Sequence, residues 1–351
     1  MTPARLGFVV SFVLGLFGGL LSGAPAEAQS VEQFYKGRTV DILSTAPGGR
    51  YDIASRIVAK HLSRFIPGNP AFVVQIEPGA GGLSVANRLA NTSPRDGSVL
   101  ALVQPGTWQL ATQGEPNARF DPAKMTWIGS FSSFAQDADL LIVNKAHPAQ
   151  TAADLNKPDV TTKLGAGTPG STNLTFAIIA RDILHLKVDV VRGYPGAPDL
   201  FIAMQNGETD GQVVALSSLT GYQASLWSDK LVRPLVQFGR VERLASLPDV
   251  PTGRELAKDD DGRALIEFAE LPFFMALPLV GPQGMPADRA AALRKAFVDM
   301  THDPDFIADV NAAKMDYSPI DGDAIAGLIA KSAATPHDVI QRYNAMIGGT
   351  K

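Results

Sequence analysis

Apolar positions along this chain recur with two alternating periods. Val40, Ile42 and Leu43 form a short apolar run that predicts a strand. A Pro/Gly loop, Ala46 to Asp52, follows it. Ile53, Ile57, Val58, Leu62 and Phe65 then return at helical spacing and predict one buried helix face. That helix stops at Pro67-Gly68. Phe72–Ile76 predicts a second strand, Pro78–Gly82 is a second glycine loop, a short helix runs through Asn91, and Val99–Val103 predicts a third strand. The pattern repeats with strands at Leu140–Val143, Lys163–Ala166, Val188–Val191 and Gln212–Leu216, and with helices ending near Leu184 and lying near Asp199–Gln205. The last third is more helical, over Ala287–Met300, Asp303–Ala313 and part of Ala324–Ile347. Strands alternating with helices predict an α/β chain, each domain a mainly parallel sheet flanked by helices.

Loops after parallel strands form the ligand crevice of such a sheet. Here several of them are rich in glycine and lead into a helix start, where unpaired N–H groups and the helix dipole favour an anion. The pattern predicts a cleft that takes a carboxylate without many Arg or Lys side chains. Gly165-x-Gly167-x-x-Gly170, with Asp189 further on, also matches a dinucleotide fingerprint. Pro169 lies inside the match and Asp189 lies within a short strand, so no dinucleotide is expected.

Composition narrows the choice further. The chain has 351 residues, enough for two domains, and 31 Lys+Arg against 35 Asp+Glu give a net charge of −4. A nucleic-acid binder would carry a basic footprint, so none is expected as partner. With no Cys, disulfides, thiolate metal sites and cysteine nucleophiles are excluded. The five His are scattered without an i,i+4 pair, and the chain has no GxSxG, HExxH or P-loop pattern. Asp259-Asp260-Asp261-Gly262 lacks the remaining ligand spacing of a calcium loop. No metal and no cofactor are expected, and the chain does not read as an enzyme.

Residues 1–28 read as a cleavable secretory signal: Arg5, the apolar run Leu6–Leu21, then Ala26-Glu27-Ala28. The expected product is a soluble periplasmic protein, monomeric, with no thioether lipid anchor.

The order of motifs resembles a known family. Pro47-Gly48-Gly49-x-x-Asp52-x-x-x-Arg56, Pro78-Gly79-Ala80-Gly81-Gly82 and Asp96-Gly97 are similar to segments of the Bug-type solute-binding receptors of tripartite tricarboxylate transporters. Trp127-Ile128-Gly129, Gly165 to Asn173, Tyr194-x-Gly196, Gly207-Glu208-x-Asp210, Leu247 to Thr252 and Gly281 to Pro286 continue the likeness in order. The resemblance implies a type II periplasmic-binding-protein clamshell. Its first domain would combine 29–132 with 248–351, and its second would be 133–247, entered and left by two crossovers. It also implies a small organic mono- or dicarboxylate as ligand and membrane permease subunits as partners. A sensing role for a signalling receptor, or a periplasmic hydrolase acting on a carboxylated substrate, are the alternatives.

The resemblance places Pro47, Gly48, Gly49 and Tyr51 in the first-domain carboxylate loop. Thr168, Gly170, Ser171, Thr172 and Asn173 fall in the second-domain loop. Asp52 is a helix cap, alone or with a ligand contact as well. Arg50 replaces a glycine common in relatives and either offers a fork to a carboxylate or points into solvent. Gly79 and Ala80 face the ligand or brace the first loop. Gln104, Gly106 and Thr107 complete the rim. Tyr194 and Gly196 line a wall or form a turn, and Asp210 lies near the return crossover.

Overall fold

The computed structural model describes residues 29–45, 47, 50–167, 171–194 and 197–348. The expected signal segment, 1–28, lies outside the described residues. In chain order the strands are β1 (Thr39–Ser44), β2 (Ala71–Ile76), β3 (Val99–Leu102), β4 (Thr126–Ser130), β5 (Asp139–Asn144), β6 (Lys163–Gly165), β7 (Asp189–Val191), β8 (Gly211–Ala215), β9 (Val232–Phe238), β10 (Pro278–Gly281) and β11 (Ile320–Asp321). They form two sheets, ordered β11-β4-β10-β3-β1-β2 and β7-β6-β8-β5-β9.

The two sheets share one plan. Each has a parallel trio, β2-β1-β3 or β7-β6-β8. Beside the trio lies an antiparallel strand; in the first sheet it arrives only after the second sheet is complete. β10 runs antiparallel to β3 and β4, and β5 runs antiparallel to β8 and β9. The parallel character predicted from the sequence therefore belongs to the trio, and each sheet as a whole is mixed.

Both faces of each sheet are covered. On the first sheet, Ile42, Leu100, Leu102 and Ile128 pack with Phe297 and Phe306 on one side, while Leu43, Ala101 and Val280 pack with Trp108 and Trp127 on the other. The two Trp rings meet edge to face at 5.3 Å, an arrangement worth about 0.5–1.5 kcal/mol beyond burial. Gly129 in β4 is required by packing, because a Cβ there would lie 2.3 Å from the Phe297 ring. Helix Arg50–Leu62 buries Ala54, Ile57, Val58, His61 and Leu62, so Ile57, Val58 and Leu62 of the predicted face are confirmed, while Ile53 is exposed and Phe65 falls in the turn after the helix.

The second sheet is covered by helix Thr172–Asp182 on one face and by Phe201, Met204 and Leu219 on the other. Helix Asp260–Glu270 and the last helix, His337–Gly348, also pack into this core through Leu265, Ile266, Phe268, Val339, Ile340 and Tyr343. Both fall within the stretch 248–351 assigned above to the first domain. The acidic run 259–261 starts the first of these helices: the Asp259 side chain accepts from Gly262 N–H at 2.6 Å and caps it.

The chain crosses between sheets at 131–138 and again after β9, and the two crossings meet. Arg240 Nη1 donates to the carbonyls of Phe134 (3.1 Å) and Ala135 (2.5 Å). Gly239 N–H donates to Glu270 Oε1 at 2.9 Å, and Arg254 Nε donates to Glu270 Oε2 at 2.5 Å. Glu270 is fully buried, and that burial pushes its carboxyl up to about 7 against the pull of Arg254. Asp139, at the start of β5, is pushed up to about 8 by burial and by Asp137, with Arg50 opposing and Glu270 adding to the rise. Asp137 is raised as well, first by burial, while N–H groups of Ala138 and Ser217 hold its Oδ1 at 2.9 and 3.0 Å.

These carboxyls set a pH dependence. Asp139 and Glu270 hold protons in the folded state that the unfolded chain has lost, so stability falls as pH rises from about 5 to 8. Urea unfolding should show the higher midpoint at pH 5.5 than at pH 8. Asp139→Asn should flatten the slope and raise the midpoint at pH 8. A midpoint that climbs with pH across this window would contradict the assignment.

Candidate ligand-binding site

A cavity of about 530 Å³ lies between the two sheets, and the loops that line it follow parallel strands. The first half of the molecule contributes Tyr51 from the helix after β1, Ala80 and Gly81 from the loop after β2, and Gln104, Gly106 and Thr107 from the turn after β3. The second half contributes Ser171, Thr172, Thr175 and Phe176, where the helix after β6 begins. This is the crevice at the carboxyl ends of the strands that the chain pattern predicts.

The loop after β2 is held in an uncommon shape. Gly79, Ala80, Gly81 and Gly82 have φ of 142°, 44°, 60° and 88°. Three of the four are glycine, for which such angles carry no Cβ penalty; Ala80 is strained there. Two side chains fix the shape. Gln104 Nε2 and Thr107 Oγ1 each donate to the Gly81 carbonyl at 2.6 Å. The loop after β3 thus braces the loop after β2. Helix Leu83–Asn91 starts from Gly82 and helix Pro105–Thr112 from Gln104, and neither cap offers a side-chain acceptor to the first N–H groups. In the other lobe, Asn173 Oδ1 accepts from Gly167 N–H (3.1 Å) and Ser171 Oγ (2.7 Å), which ties the loop after β6 to its helix.

No Asp, Glu, Lys, Arg or His stands among the described residues that line the cavity. The polar lining is hydroxyl, amide and backbone. Burial raises the Tyr51 hydroxyl above its ordinary value, opposed by Arg50, and pushes Tyr343 up to about 12, opposed by a hydrogen bond with Thr175, so both stay neutral. The arrangement can accept an anion at its helix starts but holds no acid, base or nucleophile pair. Among the described residues no group of three or more His, Cys, Asp or Glu is placed to hold a metal ion.

Of the residues singled out in the sequence, Tyr51, Ala80, Gln104, Gly106, Thr107, Ser171 and Thr172 come together here. Gly48, Gly49, Thr168, Gly170 and Gly196 lie outside the described residues. Pro47 is exposed in a turn and is not part of the lining. Gly79 and Asn173 sit behind the lining as supports. Asp52 is buried in the first turn of its helix and pairs with Arg56 Nε at 2.7 Å. Arg50 is half-buried and is not among the described lining residues, and its charge opposes the rise of the crossover acids Asp137 and Asp139. Tyr194 is half-buried, and its hydroxyl bonds Glu208 outside the cavity. Asp210 is at the wrong end of its sheet for a ligand contact. Its Oδ2 accepts from Lys163 N–H at 2.7 Å where β6 and β8 begin, whereas the lining loops follow strand ends.

Sequence reasoning missed the other wall. Leu110, Phe273, Tyr343 and Ile347 line it. Tyr343 and Ile347 are four residues apart on the last helix, a spacing that reads equally well as core.

No family model matches the chain. A UPF0065 protein in the gbd 5'region of Cupriavidus necator is 26% identical over 313 residues, covering 85% of this chain and 84% of that protein. The structure of a TctC solute binding protein from Polaromonas matches with a TM-score of 0.68 at 18% identity, over 90% of this chain and 99% of that one. MatC from Rhodopseudomonas palustris, with bound malate, matches with a TM-score of 0.56 at 20% identity, over 86% and 99%. The fold is thus that of two-domain periplasmic binding proteins, and the resemblance read from the motifs extends over most of the chain.

The brace on Gly81 makes a prediction. Thr107→Val keeps the shape of a buried side chain and removes one of the two donors. It should lower stability by about 1 kcal/mol and speed amide hydrogen exchange within residues 79–83. Unchanged exchange there would show that Thr107 does not hold the loop.

Proposed function

We propose that the protein is a periplasmic solute-binding receptor that captures a small organic carboxylate between its lobes and delivers it to a tripartite tricarboxylate-type membrane transporter. The observation that carries this reading is the cavity itself. It is shared by both lobes, it is reached by loops at strand carboxyl ends, and helices begin around it. Backbone N–H groups at those starts supply the anion recognition that the uncharged lining lacks. The malate held by MatC, a structure of the same fold, supports a carboxylate as the ligand class. No helix among the described residues is long and apolar enough to cross a membrane. The transporter partner rests on the resemblance in the motifs.

Binding is expected to favour a closed arrangement whose contacts bridge the lobes. A thermal-shift screen over organic acids is the direct test. A true ligand at about 100 times its dissociation constant stabilises by about 2.7 kcal/mol. No shift with any acid on folded, ligand-free protein would count against the reading. Thr172→Glu gives a sharper test. Thr172 is exposed at the first position of its helix, where an acidic side chain is favourable to the helix itself. The variant should therefore fold with unchanged or slightly raised stability while ligand affinity falls at least tenfold. Equal affinity in the variant would remove this helix start from the site.

A further inference from the structure

We propose that the cavity is built for a monocarboxylate with an apolar far end, and that it selects against di- and tricarboxylates. The inference rests on the carboxylate reading of the helix starts and concerns what lies beyond them.

The cavity runs along two helices, away from their N-terminal ends. On the first it passes from Gly106 and Thr107 to Leu110 and Gln113. Seven residues at 1.5 Å each give about 10 Å. On the second it passes from Thr172 to Thr175 and Phe176, one turn further in. The last helix, His337–Gly348, lies across the far end: Asn344 Nδ2 donates to the Gln113 carbonyl at 2.8 Å, and the Tyr343 hydroxyl bonds Thr175. Ile347, one turn beyond Tyr343, faces the cavity. Phe273 closes the side, with its ring 5.6 Å from that of Phe176.

The far end is therefore Leu110, Phe176, Phe273, Tyr343 and Ile347. Its polar neighbours are already engaged. Gln109 Nε2 donates to the Phe268 carbonyl at 2.6 Å, and Gln113 Nε2 reaches Gln109 Oε1 at 3.4 Å. Thr175 Oγ1 donates to the Ser171 carbonyl at 3.2 Å. A second carboxylate placed here would meet no cation among the described lining residues and would lie against Phe176 and Tyr343, the buried members of this wall. Burial of an unpaired carboxylate is costly, and the penalty far exceeds a tenfold change in affinity. An alkyl or aryl body gains from the same surface.

A matched set of ligands tests this by isothermal titration: hexanoate and adipate, which differ in one terminal carboxylate, with 3-phenylpropionate and hexanamide. The expected result is that a monocarboxylate binds at least tenfold tighter than both adipate and hexanamide. Adipate binding as tightly as either monocarboxylate would overturn the inference and leave the carboxylate reading intact. Hexanamide binding as tightly as hexanoate, or no binding by any acid, would overturn both. Ile347→Arg supplies the missing cation on a half-buried position near the chain end. It should shift the preference at least tenfold toward adipate. An unchanged preference in a folded variant would show that Ile347 does not face the ligand's far end, and would overturn the assignment.

Discussion

The constraint on which this molecule depends is that the first sheet is completed by strands from the far end of the chain. β10 and β11 join it only after β5 to β9 have built the second sheet. The chain must therefore pass twice between the lobes, side by side. Buried backbone groups need partners, and here side chains supply them. Arg240 takes carbonyls of the first crossing, and Glu270 takes an N–H of the second. Arg254 then compensates Glu270, since removing one partner of a buried ion pair typically costs about 3–5 kcal/mol. The lobes are joined at this place.

That arrangement explains where the charge goes. Arg50 begins the helix after β1, and its charge opposes the rise of Asp137 and Asp139 on the crossing. Burial raises the carboxyls of Asp139 and Glu270, the latter against the pull of Arg254. Acidic and basic groups thus gather on the crossing, while the described lining of the cavity has no Asp, Glu, Lys, Arg or His. The net charge of −4 accordingly says little about which ligand the cleft accepts. The relevant field comes from backbone N–H groups within one turn of the cavity.

Most of the α/β plan was legible because its signals are local. The trio β1, β2 and β3, the strands β5 to β8, and the long helices all follow runs or periodicities that a single segment contains. β4, β9, β10 and β11 were not read as strands, and for β9 and β10 the reason is proline. Pro234 lies within β9, where a shift of register between Leu141 and Ile142 accommodates it, and Pro278 opens β10. Tertiary context allows a residue that local reasoning treats as a breaker. The site divides in the same way. Gln104, Thr107, Ser171 and Thr172 could be found because glycine-rich loops mark strand ends. The charge of Arg50 on Asp137 and Asp139 could not be read, because those acids lie some ninety residues away on the crossing. Tyr343 and Ile347 could not be told from core, because an apolar helix face looks the same whether it meets a sheet or a cavity.

Under the proposed function this division has a consequence for selectivity. Helix starts recognise a carboxylate whatever it is attached to, because their N–H groups reach only its oxygens. The loops that present them are fixed internally, by Gln104 and Thr107 on Gly81 and by Asn173 on Gly167. Gly81 and Gly167 are thereby held in place. Discrimination between acids must then come from the rest of the cavity, and the last helix is the element that closes it. That helix is joined to the far end of helix Pro105–Thr112 through Asn344 and packs on the core of the second sheet through Val339, Ile340 and Tyr343. It therefore touches both lobes as well as the ligand space. A change on its inner face would alter which acid fits without disturbing the loops that hold the carboxylate, so affinity for the anion and choice of its body are set by different parts of the chain.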